Sequence, residues 1–146
     1  MKLSIFDLKK VEEKVLSELI KETIKNFPIL KEIYDEEFQK RLVKNRYFFN
    51  NYLLWLLSSK EPYTELTWKE ISRALFVLKE SNALSCFKDK IKSTDEYVFK
   101  SYQTELDYAA YYKEKGYNVQ LEPKLVGKGK KPEFKIESDD LKIYFF

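Results

Sequence analysis

Hydrophobic and polar positions follow two different periods along this chain, which changes character near Ser93 and switches period after Gly116. Before Ser93 the period is helical. Leu8, Val11, Val15, Leu19 and Thr23 recur at three- to four-residue spacing, with Leu16, Ile20 and Phe27 beside them and Lys and Glu between. This predicts an amphipathic helix that Pro28 interrupts. Asp35 is placed to cap a second helix, with its buried side at Phe38, Leu42, Phe49, Leu53 and Leu56 and a break at Glu61-Pro62-Tyr63. Thr67 and Glu70 have capping-box spacing, flanked by Leu66 and Ile71 as a hydrophobic staple. A third helix is expected to start there and to bury Ile71, Leu75 and Leu78. Ser93 with Glu96 predicts a fourth start, leading to Gly116, which suits a left-handed C-terminal cap.

After Gly116 the period shortens to two. Tyr117, Val119 and Leu121 alternate with Asn118, Gln120 and Glu122, as in a half-buried strand. Gly127-Lys128-Gly129-Lys130-Lys131-Pro132 reads as a loop, Phe134-Lys135-Ile136 as a second strand, Ser138-Asp139 as a turn, and Leu141 to Phe146 as a third strand. The expected fold class is α+β. A helical N-terminal region, residues 1–92, makes up the first two thirds and precedes a C-terminal α-β-β-β unit, residues 93–146, either as two regions or as one compact domain.

Composition narrows the chemistry. With 44% apolar and 16% aromatic residues in 146, the chain can bury a true core. Three glycines and four prolines favour long helices over a turn-rich β architecture. There is no histidine, so acid–base or metal chemistry must use carboxylates, lysines or tyrosines. The net charge of +3 permits nucleic-acid binding without demanding it. The single cysteine, Cys86, has no internal disulfide partner and reads as a small buried apolar residue. The longest apolar run, Leu53 to Leu57, is far short of the roughly 20 residues that span a bilayer. With no signal-peptide pattern at Met1, a cytoplasmic protein without membrane association is expected.

Three features combine from Tyr102 onward: a helix with Thr104-Glu105-Leu106-Asp107, the strand Asn118-Val119-Gln120-Leu121-Glu122-Pro123, and Lys131-Pro132-Glu133-Phe134-Lys135-Ile136. This order resembles the PD-(D/E)XK, or restriction-endonuclease-like, nuclease superfamily over the last third of the chain, as half of its core. The resemblance implies a metal-dependent DNA endonuclease ancestry. Glu105 matches the family's helical glutamate and Glu133 stands where aspartate is usual, both as catalytic residues and as ligands of Mg²⁺, which would polarise a scissile phosphate. A Glu-x-Lys on the following strand would complete the site. If Ser138-Asp139 turns the chain, Glu133 pairs near Tyr144, and the positions where that motif should begin are aromatic. Asp140-Leu141-Lys142 has the right residue types but lies about 13 Å too far along the strand. The chain is therefore expected to be inactive, as a fragment or as a degenerate member.

Plainer roles stand beside these. Glu105 and Glu133 can equally be solvated surface acids. Lys128, Lys130 and Lys131 are nucleic-acid-binding candidates as point charges for phosphates, or a solvated loop. Tyr108, Tyr111 and Tyr112 are expected to pack rather than stack on bases, and Tyr47-Phe48-Phe49 to be core. The partners expected are DNA and a second copy, through the apolar edge of the last strand. The alternative function is a non-catalytic nucleic-acid-binding or protein-interaction module.

Overall fold

The computed structural model describes residues 4, 7–47, 51–123, 129 and 132–146, Glu80 by its backbone alone. Seven α-helices among them, α1 (Glu13–Asn26), α2 (Leu30–Ile33), α3 (Glu36–Lys44), α4 (Tyr52–Ser58), α5 (Pro62–Val77), α6 (Ala83–Phe87) and α7 (Glu96–Glu114), precede three strands, β1 (Asn118–Leu121), β2 (Phe134–Ser138) and β3 (Leu141–Phe145). Short 3-10 turns include Lys90–Lys92, which precedes α7. The strands form one antiparallel sheet in the order β1-β2-β3. The fold is α+β with a helical N-terminal part, as the periods predict.

Local chemistry sets most helix ends. Asp35 accepts from the Phe38 N–H at 2.8 Å, as expected of an N-cap. At the end of α7, Gly116 has φ of +91°, and the N–H groups of Gly116 and Tyr117 donate to the Lys113 and Tyr112 carbonyls. This double closure is a Schellman motif, which requires the left-handed residue that glycine supplies without steric cost.

Four expectations are corrected. The buried face of α1 centres on Leu16, Ile20, Thr23 and Ile24, with Val15 and Leu19 only half-buried, because Leu8 belongs to a separate turn before the helix. The second predicted helix is two: α3 ends at Lys44, and Asn51 opens α4 by accepting from the Leu54 N–H at 3.1 Å. Thr67 and Glu70 do not start a helix. Pro62 stands at the first turn of α5, where its missing N–H costs nothing, and buried Thr67 gives its hydroxyl proton to the Tyr63 carbonyl one turn back. The start of α7 is capped by Asp95, not Ser93; its carboxylate accepts from Val98 N–H, while the Ser93 hydroxyl accepts from Asp95 N–H.

A single buried cluster runs from Leu8 through the helices to Val119, Leu121, Phe134 and Ile136 on the sheet. Trp68 is its largest member, edge-on to Tyr34 and Phe99, with its indole N–H donating to the Leu56 carbonyl at 2.8 Å. That bond removes the penalty of a buried donor while the ring contributes apolar area. The packing of α7 on α5 and on β1 fixes the helix that carries Glu105 against the sheet.

Among the described residues β3 has no partner on its outer side, and Leu141 and Ile143 stay exposed although they share the inward face with Phe145. No helix among the described residues is long and apolar enough to cross a membrane.

Candidate functional site

Residue order alone does not bring Glu105 and Glu133 together; packing does. Glu105 is on the side of α7 that leans toward the Lys90–Lys92 turn, one helical turn beyond half-buried Tyr102. Glu133 immediately precedes β2. Its N–H donates to the Phe145 carbonyl at 2.7 Å, and its own carbonyl accepts from the Glu122 N–H at 2.8 Å. The sheet thereby sets Glu122 and Glu133 side by side at one end. Glu122 takes a left-handed φ of +46°, uncommon for a residue with a side chain.

All three carboxylates meet one ammonium. Lys90 Nζ lies 3.0 Å from Glu105 Oε1, 3.2 Å from Glu122 Oε1 and 3.2 Å from Glu133 Oε2. The Phe87 and Tyr102 rings wall the ammonium at 5.1 and 5.5 Å from their centroids. Glu105 is the most enclosed of the acids, with 10% of its side chain exposed against 39% for Glu133 and 50% for Glu122. It therefore feels the low dielectric most.

The titration behaviour follows from this arrangement. Burial alone would lower the Lys90 pKa, but its bonds to Glu105, Glu122 and Glu133 outweigh that and hold it above the usual lysine range. Glu105 is shifted upward, first by burial and further by the charges of Glu133 and Glu122, with Lys90 opposing. One ammonium among three carboxylates leaves the ionised cluster with a surplus of negative charge. Cys86 borders it: burial first, then Glu122, raises the thiol pKa, so the residue stays a neutral thiol. It packs half-buried against the core, less enclosed than the buried apolar residue expected.

No family model, curated protein or solved structure matches this chain.

Of the predicted site residues, Glu105 and Glu133 converge. Lys128, Lys130 and Lys131 lie outside the described residues. The register differs from expectation: Tyr144 faces Lys135 and Phe145 faces Phe134, so the turn falls at Asp139 and Asp140, one residue late. The pairing slips by two, an even number, and every side chain keeps its expected face. Lys142 pairs across from Glu137, and Asp140 sits in the turn at the far end of β2 from Glu133. Two of the tyrosines expected to pack, Tyr108 and Tyr111, are more than half exposed, as is Tyr47; Tyr112 does pack, against Tyr117 and Phe145. Phe48 and Phe49 lie outside the described residues.

Two participants escaped the sequence reading. Lys90 gives no signal among so many lysines. Glu122 gives one: it ends the β1 alternation, just before Pro123, opposite the acid that opens β2. With it, Glu133-Phe134-Lys135 itself has Glu-x-Lys spacing on the strand adjacent to an acid. The Lys135 ammonium is, however, paired with Glu137 at 3.2 Å.

Glutamate carboxylates are hard oxygen donors of the type Mg²⁺ prefers. Among the described residues, however, no group of three or more His, Cys, Asp or Glu side chains is arranged to hold a metal ion as it stands. The ammonium occupies the point the three carboxylates share.

Proposed function

We propose that this protein is a nucleic-acid-directed relative of the metal-dependent nucleases, whose acidic site is kept at rest by Lys90. The supporting observation is that Glu105 and Glu133, singled out by their order in the chain, reach the same ammonium within 3.2 Å. In this reading Glu105, Glu122 and Glu133 would hold a Mg²⁺ ion, which supplies polarisation of a phosphate and of an attacking water. Lys90 is then a tethered cation that satisfies the carboxylates until a divalent ion displaces it. The three carboxylates would serve the ion only with the Lys90 ammonium out of the centre they now share. Hydrolysis is not expected while Lys90 is seated and Lys135 is held by Glu137.

A second reading has its own support in the same contacts. Three carboxylates of separate segments on one lysine form a staple joining the Lys90–Lys92 turn to α7 and to the sheet, and a non-catalytic binding module needs no more.

Titration calorimetry with Mn²⁺ separates the two. Heat of binding in the wild type that disappears in Glu105→Ala and in Glu133→Ala is the result expected of a metal site. A wild type that takes up no Mn²⁺ at millimolar concentration, while folded by circular dichroism, leaves the staple.

A further inference from the structure

The turn that carries Lys90 to the acidic cluster carries Lys92 to a different place. The intervening Ile91 is buried, and its carbonyl accepts from the buried Tyr34 hydroxyl at 2.6 Å, which pins the turn. Lys92 lines a cavity of about 260 Å³ with Phe38, Arg41, Asn45, Asn51 and Thr94. Among the described residues no carboxylate lines it.

The charges in this cavity are arranged for an anion. Lys92 Nζ and Arg41 Cζ lie 5.3 and 5.8 Å from the centroid of the same Phe38 ring, so two cations share one aromatic support. Phe38 is in turn stacked on Tyr34, which makes the support rigid. Among the described residues Arg41 has no carboxylate partner, and Lys92 has only Asp89, 3.8 Å away and almost fully exposed. Two cations lining one cavity favour an anion there. Asn51 supplies a third donor. It is 97% buried, as its 3% exposure gives, and its side-chain oxygen is committed to Leu54 N–H. Among the described residues its amide N–H₂ group donates to nothing.

We propose that this cavity binds a phosphate group, held by Arg41 and Lys92 through charge-assisted bonds and by the Asn51 amide. A guanidinium fork, an ammonium and a neutral N–H₂ around a small hollow match a phosphate's several acceptor oxygens better than a carboxylate's two. The inference does not depend on the acidic site being a metal centre. The two sites share the turn but no side chain.

The test is amide NMR of the full chain with two phosphate probes, inorganic phosphate and a short single-stranded oligodeoxynucleotide, and with acetate as the carboxylate control. Shifts at the Asn51 side-chain amide and at Thr94 are expected with phosphate. Their appearance with the oligonucleotide alone assigns the pocket to a nucleic-acid backbone, and with inorganic phosphate alone to a free phosphate. Arg41→Gln and Lys92→Gln should each weaken binding about tenfold or more, the loss of one charge-assisted bond. Asn51→Asp keeps the oxygen that caps α4 and replaces the amide by an anion. It should abolish phosphate binding, by loss of the amide donor and by the charge of the new carboxylate, in a protein that stays folded by circular dichroism. No shift with either phosphate probe, equal shifts with acetate, or unchanged binding in Arg41→Gln and Lys92→Gln overturns the proposal.

Discussion

Glu105 on α7 and Glu133 at the entry to β2 accept from one ammonium, that of Lys90, at 3.0 and 3.2 Å. Two acids of like charge are thus held close in a half-enclosed setting, where their repulsion is offset by a cation from a third segment. Each partner constrains the others, so substitutions here should be strongly non-additive.

Removal of the cation is the most direct perturbation. Lys90→Met should cost about 2–3 kcal/mol at neutral pH, because three carboxylates are left with no counter-charge; partial exposure keeps the loss below that of a fully buried pair. The cost should shrink near pH 4, where the acids become neutral. If Glu105, Glu122 and Glu133 are ligands, millimolar Mn²⁺ should raise the melting temperature of Lys90→Met more than that of the wild type. Thermal denaturation by circular dichroism, with and without the ion, reads both effects.

Glu105 should titrate above the ordinary glutamate range, as followed by its side-chain carboxyl carbon in NMR. Burial is the main cause and the Glu133 charge adds to it, so in Glu133→Gln the Glu105 titration should move down. The sign for stability follows. A carboxyl whose folded pKa exceeds its unfolded one binds its proton more tightly when folded. Its ionisation therefore costs stability as pH rises from the unfolded value through the folded one, and below both values that cost is absent. A Glu105 titration at or below the ordinary value would contradict the burial of this side chain.

Gly116→Ala should destabilise the protein by about 1 kcal/mol. An added Cβ meets nothing within 4 Å, so the penalty is that of φ at +91° and not of a clash. A melting temperature equal to wild type would show that the end of α7 relaxes into another closure.

Self-association is expected through β3, whose inward residues Leu141 and Ile143 remain exposed beside a row of backbone groups that is unpaired among the described residues. Analytical ultracentrifugation at tens of micromolar should show a dimer or larger species, and Ile143→Lys should shift it toward monomer with little change in stability. A wild type that is strictly monomeric at that concentration removes the second copy as a partner.

Much of the fold was legible because it is written in local terms. The two-residue alternation of Val119 and Leu121 needs only a sheet with one covered face, and Gly116 needs only the geometry of a closing helix. Helix starts were less so. Thr67-x-x-Glu70 carries the pattern of a cap, yet a proline five residues earlier had already begun the helix, and the threonine hydroxyl found a carbonyl instead. Asn51 shows the reverse: an unremarked asparagine interrupts an apolar run by capping α4 with its side chain.

By itself, then, the sequence determined the periods, the order of helices before strands, and the placing of one acid on α7 and another just before β2, since these depend on neighbours a few residues away. Only the tertiary structure decided that Lys90 stands among Glu105, Glu122 and Glu133, and that Lys92 joins Arg41 around Phe38. Electrostatic partnership depends on distances of about 3 Å between segments far apart in the chain, and nothing local fixes which of many similar lysines will be there.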